Sequence, residues 1–138
     1  MTPSTPRSLL MPLLAAATTV AAGDCHVSTN GQPCTEEFRV VYVMVLDTLG
    51  AAAPDVATTH TVPRNGLVLA VPQDPVLTAA GVYVVLTDAH RTALLQSGDV
   101  VRLTGTKGPM AFTADFRFDV PQGCHIRKMA GPDTVSLQ

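Results

Sequence analysis

The sequence predicts an all-β sandwich of seven to eight short strands with one short helical turn, and three observations carry that prediction. The first is the run 36–47, in which Phe38, Val40, Tyr42, Met44 and Leu46 alternate with Val41, Val43 and Val45. Both parities are apolar, the pattern of a strand at the centre of a sheet and covered on both faces. The second is the segment 112–119, where Phe112, Ala114, Phe116 and Phe118 alternate with Thr113, Asp115, Arg117 and Asp119. Its apolar parity belongs in a core and its polar parity in solvent. The third is punctuation: 11 prolines and 10 glycines are spread along the chain, which suits many strands joined by tight turns.

The 138 residues have room for one domain, and 46% hydrophobic with 14% charged residues is a globular composition. Residues 1–23 read apart from the rest. Arg7 is their only charge, 9–22 is apolar or small, and small residues precede a cut after Ala22 or Gly23, so 1–23 is expected to be a secretory signal peptide. The apolar run is interrupted by Pro12 and falls short of the roughly 20 residues a membrane span needs. Cys25 follows closely and is a candidate for lipidation, although Asp24 stands where lipidation signals place a small residue. Residues 24–33 are polar and turn-rich and read as an exposed lead-in. The sandwich domain is expected over 34–138.

Within that domain the first strand ends at the turn 47–50. In 56–62, Val56, Thr58, His60 and Val62 share one side and Ala57, Thr59 and Thr61 the other, as in a half-exposed strand. Asn65 and Gly66 tolerate positive φ at both central positions of a turn and lead into a strand at 67–71. Pro72 and Pro75 interrupt pairing, because neither can donate to a ladder. A mostly apolar strand occupies 81–88. Asp88 reads as the cap of a helical turn at 89–96, closed by Ser97 and Gly98. Two turns are too few to stand alone, so this piece is expected as a crossover against the sandwich edge. Strands at 100–105, 112–119, 124–128 and 134–137 complete the series.

Three cysteines in an exported chain leave one over when a single bridge forms. Cys34 shares the parity of Phe38 and Val40, and Cys124 that of Ile126. Joining them closes a loop of about 90 residues, for which the chain-entropy model gives on the order of 4–5 kcal/mol. Cys25 with Cys34 would close a far shorter loop, so Cys34 and Cys124 are the expected pair. Cys25 is then free, lipidated or intermolecular.

Cys34, Thr35, Glu36, Glu37 and Phe38, the Asp47 to Gly50 turn, Gly81 and Tyr83 leading to Thr87 and Asp88, and Cys124, His125 and Ile126 followed by Lys128, Gly131 and Pro132 form a recognisable set. Over about 34–135 the chain resembles small exported bacterial proteins of the carboxypeptidase regulatory-like, transthyretin-like domain type. The resemblance implies an Ig-like or prealbumin-like sandwich, a bridge between the two cysteine motifs, and residence in the cell envelope or outside it. It implies no activity. Asp24 departs from the small residue that lipoprotein members carry before the acylated cysteine.

The net charge is -2 and no basic run exceeds Arg127 with Lys128, so there is no electrostatic footprint for nucleic acid. Cys124, His125 and Met129 supply the late ligand types of a sandwich copper site, but adjacent residues of a strand point to opposite faces, and that site needs a spacer between Cys and His. Cys25, His26 and Cys34 match no closed zinc set. His60 and His90 stand alone. No Gly-x-Ser-x-Gly elbow is present, and Ser97 only ends the short helical turn. Asp115 and Asp119 are about 13 Å apart on one strand, too far for a paired acid and base. Glu36 and Glu37 form an acidic pair that discourages edge pairing or helps hold a cation.

The expectation is therefore a non-enzymatic accessory domain without cofactor, secreted or periplasmic, with Cys25 as the candidate tether to the outer membrane. It contacts a protein or envelope component, with no membrane span of its own. The alternative is a small-ligand or copper site at one end of the sandwich, built from His125, Met129 and His26. A hydrolase would require a Ser or Thr hydroxyl brought within about 3 Å of a His nitrogen by distant loops.

Overall fold

The computed structural model describes residues 31 and 33–138. The expected signal peptide, Cys25 and His26 lie outside the described residues. The strands are β1 (Val40–Leu46), β2 (Ala57–Val62), β3 (Leu67–Leu69), β4 (Val82–Thr87), β5 (Asp99–Lys107), β6 (Met110–Asp119), β7 (Arg127–Ala130) and β8 (Thr134–Ser136). They form two sheets, one ordered β4-β1-β8 and the other β3-β2-β5-β6-β7. Every pair in the larger sheet is antiparallel, whereas β1 runs antiparallel to β4 and parallel to β8. The chain is an all-β sandwich.

The inner faces meet in one core. Val43 and Val45 of β1 and Tyr83 and Val85 of β4 pack with Val62, Val101, Leu103, Phe116 and Phe118 of the larger sheet. All four apolar positions of 112–119 are buried, so its alternation is realised. Each fully buried Phe contributes about 1.5–3 kcal/mol relative to an exposed one. Tyr83 is buried with its hydroxyl satisfied: it donates to Ala53 C=O at 2.8 Å and accepts from Val56 N–H at 2.9 Å. On the opposite sheet, Gly105 lies across from Phe112 and its missing side chain makes room for that ring.

Four expectations need correction. β1 is the middle strand of its sheet, but it is covered on one face only, and Phe38 and Tyr42 are 62% and 44% exposed. A sandwich of two sheets offers each sheet one inner face, so the second apolar parity of β1 has no layer to pack on. Pro75 does more than interrupt: it opens a short helix α1 (Pro75–Ala79), with Asp74 Oδ1 accepting from the amides of Val76 and Leu77. Asp before Pro is a helix-start signal. The later helical turn is 3-10, over Asp88–Ala93, with Thr87 in place of Asp88 at its cap and no capping bond from the Thr87 side chain, and the Asp88 carboxylate is used elsewhere. Lastly, Cys34 and Cys124 sit in connecting segments ahead of β1 and β7, not within strands.

Candidate functional site

Cys34 and Cys124 are joined, with their Cα atoms 5.4 Å apart. The bridge brings together the residues that follow each cysteine. Thr35 Oγ1 lies 2.8 Å from His125 Nε2, and His125 Nδ1 lies 2.7 Å from Asp88 Oδ2. Asp88 comes from the end of β4 and is 3% exposed. Its Oδ2 also accepts from Arg39 N–H and its Oδ1 from Ile126 N–H, both at 2.8 Å. One carboxylate thus fastens the entry to β1, the entry to β7 and the imidazole between them.

Burial alone would raise the Asp88 pKa, but the bonds from Arg39 N–H, His125 and Ile126 N–H together outweigh it and hold the carboxyl below its ordinary value. With Asp88 ionised, the network assigns the proton of neutral His125 to Nδ1, which donates to Asp88. Nε2 is left to accept from the Thr35 hydroxyl. This is the order of hydroxyl, base and orienting carboxylate found in nucleophilic relays. Thr35 is exposed, and a surface cleft of about 160 Å³ opens beside it, lined also by Glu36, Glu37, Phe38 and Arg91. No local motif marks this relay, because Thr35 and His125 come from opposite ends of the domain and meet only in the fold. Its signal was present in the cysteines: once Cys34 and Cys124 pair, Thr35 and His125 are neighbours.

No family model, curated protein or solved structure matches the chain. The site is therefore read on its own geometry.

Of the residues named for a metal, His125 and Met129 are described. Both ring nitrogens of His125 are engaged, Cys124 is in the bridge, Met129 stands 52% exposed on β7, and His26 lies outside the described residues. Among the described residues, no group of three His, Cys, Asp or Glu side chains is placed to hold a metal ion. Asp115 and Asp119 each face an arginine, Arg102 and Arg127, across the outer surface of the larger sheet. Glu37 approaches Arg39 at 3.4 Å.

The two solitary histidines both hold the seam between the sheets. His60 is 2% exposed and its Nε2 donates to Val84 C=O at 2.9 Å. His90 Nδ1 accepts from the Thr87 hydroxyl and its Nε2 donates to Ala70 C=O, each at 3.1 Å. At the ends of the larger sheet, β3 exposes Val68 and β7 exposes Met129. No helix among the described residues is long and apolar enough to cross a membrane.

Proposed function

We propose that this chain is a non-enzymatic accessory domain, exported and resident in or outside the cell envelope, that contacts a protein or envelope component through a sheet edge. Export is supported by the leader-like residues 1–23 and by a disulfide, which persists in oxidising compartments. Cys25 offers an N-terminal lipid tether. The observation that carries the contact reading is that β3 and β7 end the larger sheet with Val68 and Met129 exposed. A terminal strand presents unpaired backbone donors and acceptors to an incoming chain. In this reading the Thr35, His125 and Asp88 chain is a clasp that seats the lead-in on the sandwich. Glu36 and Glu37 line the cleft beside Thr35, and their negative charge opposes formation of an oxyanion there.

Photo-crosslinking residues placed at Val68 and Met129, with Thr104 in the middle of the larger sheet as control, test it in the cells that make the protein. Discrete adducts from the edge positions and none from Thr104 are expected. Absence of adducts at both edges overturns the reading.

A second reading, hydrolysis of small esters, is favoured by the 2.8 Å contact of Thr35 with His125. Thr35 Oγ would attack the ester carbonyl carbon as its proton passes to His125 Nε2, which returns the proton to the departing alkoxide. Water would then release the acyl group by the same steps in reverse. Release of nitrophenol from p-nitrophenyl acetate that is lost in both Thr35→Ala and His125→Ala, and kept in Thr35→Ser, would replace the first reading with this one.

A further inference from the structure

The edge of β4 that faces away from β1 is already occupied, and by a side chain. Val45 N–H donates to Gly81 C=O at 2.8 Å, so Gly81 turns its backbone toward β1 while Val82 and Val84, of the other parity, turn theirs to the free edge. At Val84 one residue reaches both groups, and the carbonyl also accepts from His60. Val84 N–H donates to Gln73 Oε1 at 2.8 Å, and Gln73 Nε2 donates to Val84 C=O at 3.0 Å.

A carboxamide carries the same acceptor and donor as a peptide unit, so Gln73 fills Val84 as one residue of a neighbouring strand would. The main chain around it cannot form that strand. Pro72 and Pro75 flank the position and have no N–H to give, so the segment passes β4 without a ladder and reaches it through Gln73. Besides Gln73, the segment is held by Val71, which packs against the core, and by Ala70 C=O, which accepts from His90, while His60 donates to the same Val84 carbonyl as Gln73. Ala70, Pro72 and Asp74 are exposed.

We propose that the free edge of β4 is a docking site for an extended polypeptide segment of a partner protein, and that residues 70–74 are a strap holding the Gln73 amide in it until the partner displaces it. This goes beyond the edge-contact reading above, which stands on β3 and β7, and adds an edge of the smaller sheet. The bound amide is what identifies the ligand chemistry: the site holds a peptide-like group by both of its polar atoms. A second copy of the chain fits less well, because two β4 edges could pair only after both straps had left.

The test uses isotopically labelled full chain and a terminally blocked hexapeptide of alternating threonine and valine, followed at the Val82 and Val84 amides. Gln73→Ala removes the competing amide and is expected to bind the peptide about tenfold more tightly than the unaltered protein, as expected for losing two modest hydrogen bonds. Gln73→Glu, which can still accept from Val84 N–H but cannot donate to its carbonyl, is expected between the two and serves should the alanine variant not fold. A peptide with alternate amides N-methylated is expected not to bind.

Equal affinity across the three proteins overturns the strap. Peptide shifts confined to β3 or β7 overturn the β4 site while leaving the edge-contact reading intact. Binding at none of the edges removes both. Pairing of Gln73→Ala molecules through β4 without peptide overturns the named occupant.

Discussion

His125 stands 2.7 Å from Asp88, and the same carboxylate receives the amides of Arg39 and Ile126, so a single side chain at the end of β4 organises two segments that are far apart in the chain. Replacing it does not merely delete a salt bridge. Asp88→Ala leaves two backbone N–H groups without their acceptor, each costing about 1–3 kcal/mol when buried, and releases the imidazole as well. A loss of about 2–5 kcal/mol in urea unfolding is expected at neutral pH.

The pH dependence of that loss follows from the depressed Asp88 pKa. A carboxyl whose folded pKa lies below its unfolded value, about 3.9, stabilises the fold fully above that value and loses the contribution as pH falls through the folded one. The gap between the parent protein and Asp88→Ala should therefore stay constant from pH 7 to about 5 and narrow only below about pH 4. A gap that closes well above about pH 5 would mean that Asp88 is not the titrating group.

His60 gives the opposite signature. Burial lowers its pKa, the bond to Val84 C=O opposes this in part, and the nearby His90 lowers it further. Below about pH 6.5 the unfolded chain therefore takes up a proton that folded His60 still refuses, and stability declines as pH drops from there toward the folded pKa. His60→Gln, which keeps a donor for Val84 but cannot titrate, should flatten the change in urea midpoint between pH 7.5 and 5.5. An unchanged slope in that variant would show that His60 is not the source of the effect.

Removing the bridge tests whether the staple and the clasp are one device. Cys34→Ser with Cys124→Ser frees a loop of about 90 residues, and the chain-entropy model puts the loss at on the order of 4–5 kcal/mol. Thr35 is held against His125 by the adjacent bridge, so Thr35→Val should destabilise the bridged protein and have little further effect once the cysteines are replaced. A double-mutant cycle reads the difference. Additive losses would show that Thr35 reaches His125 without the disulfide.

These features differ in how far sequence could disclose them. The alternation at 112–119 reports burial directly, since a strand places successive side chains on opposite faces. The bridge was legible through loop length, whereas parity carried no information because neither cysteine lies in a strand. The two apolar parities of β1 misled, because hydrophobicity marks a face able to be covered without showing that a layer exists to cover it. Asp88 misled for a related reason: a local cap and a distant amide make the same demand on a carboxylate. The hold of Gln73 on Val84 left no local trace, as a glutamine between two prolines looks like any loop residue. α1 did leave one, Asp74 before Pro75, since the proline that cannot donate to a ladder is equally suited to open a helix.

Gly105 supplies the most direct check on side-chain packing within the larger sheet. It pairs with Phe112 across β5 and β6, and a methyl group built on its Cα would fall 2.2 Å from Phe112 Cε1 and 2.7 Å from Cζ. The backbone of Gly105 is not in the left-handed region, so an alanine there meets no conformational penalty of its own and the clash alone is measured. Phe112 is buried at the rim of the core and must tilt outward or push its neighbours, for which overpacking typically costs about 1–3 kcal/mol. Gly105→Ala should lower the urea midpoint accordingly. Phe112→Leu, itself destabilising through lost apolar contact, should be less harmful in the Gly105→Ala background than alone, because the shorter side chain vacates the space the methyl needs. Strictly additive effects of the two changes would mean that the ring does not lie over Gly105.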